Sequence, residues 1–121
     1  MKKVAILGIT LLWSFLMGCS SAPSQATPEE TVDALIKAEQ KMNYNTWNKL
    51  WSKPDSFYKW QFENIARDSK SNTYEILYDA TKISGDEAVV YVKVVSDAET
   101  EECFAELSKK DNKWYVNYTN F

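Results

Sequence analysis

The sequence predicts a single α+β domain, with N-terminal helices packed on one face of an antiparallel sheet of about four strands. Two observations support this prediction. Apolar side chains recur with the helical period up to about residue 67, and they alternate with polar ones from residue 72 onward. Short polar turns separate the alternating segments, as in an antiparallel meander. A chain of 121 residues has room for only one such domain.

Three helices are predicted in the first half of the domain. The segment Thr27–Glu30 opens the first with an N-cap threonine, a proline at the first helical position and a glutamate three residues after the cap. That helix is predicted over 28–42, and Asn45 is predicted to cap a second one that Pro54 ends. The third is predicted over about 55–67. The predicted apolar stripes consist of Val32, Leu35, Ile36 and Met42, then Trp47, Leu50 and Trp51, then Tyr58, Phe62 and Ile65.

The second half is predicted to form the sheet, with strands at 74–78, 88–95, 103–107 and 114–118. The last hairpin has a predicted register. A two-residue turn at Asp111-Asn112 pairs Leu107 with Val116 and Ala105 with Tyr118. This register places all four paired side chains on the core face of the sheet.

Residues 1–18 are interpreted as a lipoprotein signal peptide. Lys2 and Lys3 precede an apolar run, Val4–Met17, that is shorter than the roughly 20 residues a helix needs to span a bilayer. The following Leu16-Met17-Gly18-Cys19 resembles the bacterial lipobox, in which a leucine stands three residues before the lipidated cysteine. The resemblance implies that the Cys19 sulfur receives a diacylglycerol and that the chain is cut before it.

The predicted organisation is therefore a signal peptide over 1–18, a lipidated Cys19 with a flexible tether over 19–26, and one domain over 27–121. The tether has no large apolar residue to bury. Two or three acyl chains hold a protein firmly on a bilayer. The predicted partner at this end is thus the membrane, bound through the lipid on Cys19. The predicted location is the bacterial cell envelope, on the outer membrane facing the periplasm where the host has one, and otherwise on the outer face of the cell membrane.

Composition excludes several function classes. The chain has 17 acidic and 14 basic residues, and loss of Lys2 and Lys3 with the signal peptide leaves 12 basic ones. This acidic balance argues against a nucleic-acid partner. The absence of histidine excludes histidine-based catalysis and histidine-ligated metals. The acidic run over 97–102 lacks the spacing and the glycine of a calcium loop, so neither a metal nor another cofactor is expected.

Five segments of the chain carry a family resemblance: Thr27–Val32, Asn43–Trp47, Ser84–Val90, Phe104–Leu107 and Lys110–Trp114. They resemble small bacterial lipoproteins with a nuclear transport factor 2-like domain, a cystatin-like α+β fold. The resemblance implies helices lying in the concave face of a strongly curved sheet, which together form a cone that can enclose a pocket. Asn43-Tyr44 and Asn112 depart from the family pattern, which has Gly-Asp and Gly there. Enzymes, binding modules and adaptors all use this fold, so the resemblance leaves the function open.

The predicted function is binding without catalysis, of a partner protein or a small apolar ligand. Aromatic residues are the one compositional excess, and they are the candidates for lining a ligand pocket, although the same side chains also suit a filled core. One alternative is a small enzyme with a Tyr/Asp pocket inside the cone, using tyrosines of the strands and Asp79. Another is a structural spacer without a ligand. Cys103, unpaired once Cys19 is lipidated, is predicted to be a buried and inert thiol. The candidate ligand-binding residues are Trp47, Trp51, Trp60, Tyr78 and Tyr118.

Overall fold

The computed structural model describes residues 23–97 and 99–121. The predicted signal peptide, Cys19 and the start of the predicted tether lie outside the described residues. Within them, no helix has both the length and the apolar character needed to cross a bilayer. The described residues form three helices followed by five antiparallel strands, which confirms the predicted α+β class. The helices are α1 (Pro28–Gln40), α2 (Tyr44–Lys49) and α3 (Lys59–Ser69).

The caps explain where the helices begin. Thr27 caps α1 as predicted, because its Oγ1 accepts a hydrogen bond from the Glu30 N–H at 3.1 Å. Asn43, rather than the predicted Asn45, caps α2 through a bond from the Thr46 N–H to its Oδ1. The start of α3 also lies a few residues later than predicted. Asp55 has a φ of 66°, and this left-handed conformation is incompatible with a helix at that point.

The first helix ends earlier than predicted. Met42 has a φ of 57°, so the chain leaves the helical path there. The Asn43 N–H donates to the Ala38 carbonyl at 2.8 Å and the Met42 N–H donates to the Glu39 carbonyl at 3.1 Å. This pair of bonds is a Schellman motif, which closes the helix after Gln40. Met42 consequently does not continue the buried stripe, and its side chain is 42% exposed.

The sheet has the order β1-β3-β4-β5, with β2 pairing to β3 beyond the end of β1. The predicted first strand is divided, because Tyr78–Ala80 forms a 3-10 turn between β1 and β2. Both short strands then pair antiparallel with β3. The prediction that Tyr78 lies in a strand is therefore wrong, and its side chain is 62% exposed. The strands are β1 (Thr73–Ile76), β2 (Lys82–Ser84), β3 (Glu87–Val95), β4 (Thr100–Lys110) and β5 (Lys113–Thr119).

The turn of the last hairpin confirms its prediction. Asp111 and Asn112 have φ values of 53° and 64°, the left-handed pair that a two-residue type I′ turn requires. Beyond the turn, Leu107 pairs with Val116 as predicted. Both of these side chains are buried against the helices.

The rest of the predicted hairpin register is wrong. A β-bulge between Glu106 and Leu107 shifts the pairing by one residue, so that Ala105 pairs with Thr119 instead of Tyr118. One extra residue in a strand moves the following side chains to the opposite face. Tyr118 therefore leaves the core face and lies half exposed on the outer face, where its ring contacts Phe104 at a centroid distance of 5.9 Å.

The core lies between the three helices and the inner face of the sheet. Trp114 at the start of β5 is buried. Cys103 on β4 is buried, as predicted, and it forms no disulfide with any described residue. Burial raises the pKa of the Cys103 thiol, which keeps the sulfur in its unreactive protonated form. The largest fully buried side chains are Trp47, Phe62, Leu35, Leu50 and Leu107.

The contacts of the domain begin before the predicted boundary at Thr27. Gln25, which the sequence assigned to the tether, pairs with β5: the Trp114 N–H donates to its carbonyl at 3.0 Å and its Nε2 donates to the Trp114 carbonyl at 2.8 Å. The Thr31 hydroxyl donates to the same carbonyl at 3.2 Å. These bonds attach the start of the domain to the edge strand of the sheet, so the domain begins at Gln25 rather than at Thr27.

Candidate functional site

A cavity of about 660 Å³ opens between the α2–α3 connection and the end of β5. This volume falls in the range of roughly 300–1,000 Å³ that is usual for small-molecule sites. Exposed side chains from both segments, including Ser52, Lys53 and Asn117, form the rim. Aromatic residues dominate the lining: Trp47, Trp51, Phe57, Phe121 and, with its ring turned to the outer face of the sheet, Tyr118.

Three of these rings form a rigid inner wall. The ring centroids of Trp47, Trp51 and Phe57 lie 5.1–5.2 Å apart in all three pairs, and the ring planes cross at 53–65°. Such tilted and edge-to-face contacts are the favourable geometries of aromatic pairs. Trp47 and Trp51 are 1% and 8% exposed, so this wall is part of the core and has little freedom to rearrange.

The backbone around Trp51 is attached to the sheet edge. After α2, the Ser52 N–H donates to the Val116 carbonyl and the Val116 N–H donates to the Leu50 carbonyl, both at 2.8 Å. These bonds form a parallel bridge between Trp51 and Val116. The indole Nε1 of Trp51 is buried, and it has no hydrogen-bond acceptor among residues 23–97 and 99–121. The Trp51 indole donor is thus enclosed within the packed wall, where no described protein group accepts its hydrogen bond.

A buried carboxyl group also lines the cavity. Glu39 is 5% exposed, and its Oε1 accepts a hydrogen bond from the Trp47 Nε1 at 3.1 Å. Burial raises the pKa of Glu39 to about 7, and the Trp47 indole and the Ser69 hydroxyl offset only part of that rise. No ion pair within the described part of the chain involves Glu39. The carboxyl group is therefore able to exchange a proton near neutral pH.

Three of the five predicted ligand-binding residues line this cavity. Trp47 and Trp51 do so from α2 and the segment after it, and Tyr118 does so from the end of β5. The other two do not, because Trp60 is 60% exposed near the start of α3 and Tyr78 is 62% exposed in the 3-10 turn. The structure thus brings Trp47, Trp51 and Tyr118 to one cavity. It leaves Trp60 and Tyr78 exposed to solvent.

Asp79, the acid of the alternative Tyr/Asp pocket, lies away from this cavity. Asp79 is exposed beside Tyr78 in the 3-10 turn, and neither residue lines the cavity. In the described ranges, no three acidic or cysteine side chains cluster as metal ligands would. The acid that does line the cavity is Glu39, on α1.

Sequence reasoning missed Glu39, although the sequence contains a signal for it. Glu39 follows Leu35 and Ile36 by four and three residues, which places it on the same helix face as the buried stripe. A carboxyl group at such a position has to be buried, and buried acids are concentrated at functional sites. Phe57 was also missed as a site residue, because it lies in a connection outside any regular element.

No model of a protein family matches the sequence, and no curated protein matches it. Solved structures have similar folds. A SEC-C motif containing protein from Rhodopseudomonas palustris gives a TM-score of 0.62 at 12% identity, covering 80% of each chain. A protein designated Rd1NTF2 gives 0.50 at 11% identity, covering 75% of this chain and 92% of the other. An NTF2-like protein of unknown function from Cytophaga hutchinsonii gives 0.41 at 11% identity, covering 78% and 90%.

These similarities concern the fold alone, because the sequence identities are low. With three helices on one face of a curved antiparallel sheet, the domain has an NTF2-like α+β fold, as the resemblance of its sequence segments implied. Fold similarity at this level assigns no ligand and no activity.

Proposed function

We propose that this protein is a lipid-anchored lipoprotein of the bacterial envelope whose NTF2-like domain binds a small apolar molecule without catalysing a reaction. The observation that supports binding is the cavity of about 660 Å³ walled by Trp47, Trp51 and Phe57. Trp47 and Trp51 are buried, but Phe57 is only partly buried, so a ligand in the cavity would cover apolar surface of Phe57, at roughly 25 cal/mol per Å². A pure spacer gains nothing from such a cavity, whereas a binding protein uses it.

The cavity also favours a small molecule over the partner protein that the sequence left open. Protein partners cover broad surfaces, whereas small ligands enter concave sites with a few polar groups in an apolar wall. The lining here has that composition, with Glu39 in a mostly aromatic wall and Ser52 and Asn117 at the rim. The proposal of binding without catalysis is supported by the exposed position of Asp79, which keeps the acid of the alternative Tyr/Asp pocket out of the cavity.

The proposed anchor would hold the domain close to the membrane. Gln25 already pairs with β5, so only the five residues 20–24 separate the lipid on Cys19 from the first attachment of the chain to the domain. At no more than about 3.6 Å per residue, this tether spans roughly 20 Å. An apolar ligand could then pass between the bilayer and the cavity over a short distance.

The anchor is tested by labelling cells with a clickable palmitate analogue. We expect the wild-type protein to incorporate the label and Cys19→Ala to lose it, because only a thiol can form the thioether at this position. Cys103→Ala is the matched control, since it removes the buried cysteine of the domain and should keep the label. Equal labelling of the wild type and Cys19→Ala would contradict the anchor.

Binding in the cavity is tested with 2-isopropylnaphthalene, a rigid apolar probe, on the unlipidated polypeptide 19–121 carrying Cys19→Ser. We expect saturable binding that raises the melting temperature. Ser52→Trp should weaken the affinity at least about tenfold, because Ser52 lines the rim on a backbone held by Val116. Ser84→Trp, in exposed β2, should bind the probe like the parent polypeptide. Absence of saturable binding, or an unchanged affinity in Ser52→Trp, would contradict the proposal.

A further inference from the structure

We propose that the surface at which the chain enters the domain contacts anionic phospholipid headgroups when the lipid anchor holds the protein on a bilayer. This surface, which we call the entry groove, lies between Pro23, Gln25, Lys49, Pro54 and Lys113. The inference rests on the lipid anchor of the proposed function, and it adds how the anchored domain is oriented on the membrane.

The entry groove lies close to the proposed anchor. Pro23 follows Cys19 by four residues, which span no more than about 14 Å. Gln25, two residues further on, is fixed to Trp114 by two hydrogen bonds of 3.0 and 2.8 Å. A lipid on Cys19 would therefore keep this part of the domain within reach of the headgroups.

The charges of the entry groove suit a negatively charged surface. The two charged residues that line it, Lys49 and Lys113, are both basic, and both are exposed. No carboxylate of the described residues forms an ion pair with either lysine. Both ammonium groups are therefore available to phospholipid phosphates, and each lysine held near an anionic membrane strengthens the attraction to it.

The surface on the other side of Pro23 does not have this character. Its lining contains two carboxylates and two lysines: Glu30, Asp33, Lys37 and Lys41. Lys37 is already paired, because its Nζ lies 2.8 Å from Asp33 Oδ2. The charges of that surface cancel, so of these two surfaces the entry groove is the one that an anionic bilayer attracts.

The distribution of charge along β4 favours the same orientation. This strand has 11 residues, so its two ends lie roughly 30 Å apart. The end away from the entry groove carries four exposed carboxylates, at Asp97, Glu99, Glu101 and Glu102. The end beside the groove carries equal numbers of exposed lysines and carboxylates: Lys109, Lys110, Lys113, Asp86, Glu87 and Asp111. An anionic bilayer therefore repels the first end more strongly, which turns the entry groove towards the membrane.

Lysine acetylation on vesicles tests this orientation. The polypeptide 19–121 is coupled through Cys19 to a lipid with a maleimide headgroup, since Cys103 is buried. The vesicles consist of phosphatidylcholine alone or of an equimolar mixture with phosphatidylglycerol. N-hydroxysuccinimidyl acetate, an uncharged reagent, then modifies the lysines, and mass spectrometry gives the rate at each one. We expect Lys49 and Lys113 to react at least about fivefold more slowly on the anionic vesicles, the factor that one lysine contributes at such a surface.

Two controls separate attraction to the headgroups from mere proximity to them. Lys93, which pairs with Glu102 at the acidic end, should react equally on both kinds of vesicle. At about 1 M salt the screening length falls to roughly 3 Å, so the slower reaction of Lys49 should disappear.

A pair of exposed-lysine variants completes the test. Lys113→Gln removes one of the two attractions, so Lys49 should react several-fold faster on the anionic vesicles than in the parent, whereas Lys93→Gln should leave its rate unchanged. Equal rates for Lys49 on the two kinds of vesicle, equal protection of Lys93, or an unchanged Lys49 rate in Lys113→Gln would overturn this inference. The coupled lipid supplies the anchor in this experiment, so these outcomes leave the proposed lipidation of Cys19 standing. Equal palmitate labelling of the wild type and Cys19→Ala would instead overturn the proposed anchor itself.

Discussion

Replacing Trp47 with alanine is expected to lower the free energy of unfolding by about 3–5 kcal/mol, the usual cost of truncating a buried tryptophan. The indole is 1% exposed, and its ring centroid lies 4.9–5.2 Å from those of Trp51, Phe57 and Phe62. The truncation would therefore remove the centre of the aromatic cluster that joins α2 to α3 and to the connection between them. It would also leave the buried Glu39 without the indole donor.

A loss of this size is a large part of the 5–15 kcal/mol that stabilises a typical domain. A urea titration followed by circular dichroism measures it as a lower midpoint. Trp60→Ala is the matched control, because this tryptophan is 60% exposed on α3 and its truncation should change stability by no more than about 0.5 kcal/mol. If the two variants unfold at the same urea concentration, the cluster around Trp47 does not hold the helices together.

The features that the sequence predicted are those set by local patterns. The cap at Thr27 and the stripe through Val32 and Leu35 predict α1, because the helical period and the capping chemistry involve only neighbouring residues. The left-handed Asp111-Asn112 turn predicts the last hairpin and the pairing of Leu107 with Val116 next to it. In each case the residues that determine the structure lie within one turn or one hairpin.

The features that it could not predict depend on contacts between distant residues. The bulge next to Leu107 is not encoded in strict alternation, and it places Thr119 instead of Tyr118 opposite Ala105. The Schellman ending at Met42 is similar, because a methionine in a left-handed conformation has no sequence signature of the kind that glycine provides.

The sequence also predicted the candidate site only in part. Aromatic content identified Trp47 and Trp51, but composition alone does not distinguish a buried tryptophan from an exposed one such as Trp60. The exposure of Trp60 depends on where α3 begins, which is set by the preceding connection. Glu39 was within reach of sequence reasoning, because an acid on an apolar helix stripe is a local pattern.

The stability of the domain is expected to depend on pH through Glu39. Burial disfavours the charged form and raises the pKa of Glu39 to about 7 in the folded state, from the ordinary value of 4.5 for a solvent-exposed glutamate. Between these values the folded state binds the proton more tightly than the unfolded state, so this contribution to stability is fully present below pH 4.5 and is lost as the pH rises through 7. The loss between pH 4.5 and 8 amounts to about 3 kcal/mol.

Glu39→Gln isolates this contribution. Glutamine keeps an oxygen that can accept the hydrogen bond from Trp47, and it has no proton to lose. The variant should therefore lack the loss of stability that the ionisation of Glu39 causes as the pH rises. Urea titrations at pH 5 and pH 8 give the free energies of unfolding. The wild type should lose about 2–3 kcal/mol relative to Glu39→Gln between the two pH values, whereas Glu106→Gln, on the exposed face of β4, should follow the wild type. Parallel pH profiles for the wild type and Glu39→Gln would show that Glu39 is ionised in the folded protein throughout this range, and that the polar side of the cavity carries a buried negative charge at neutral pH.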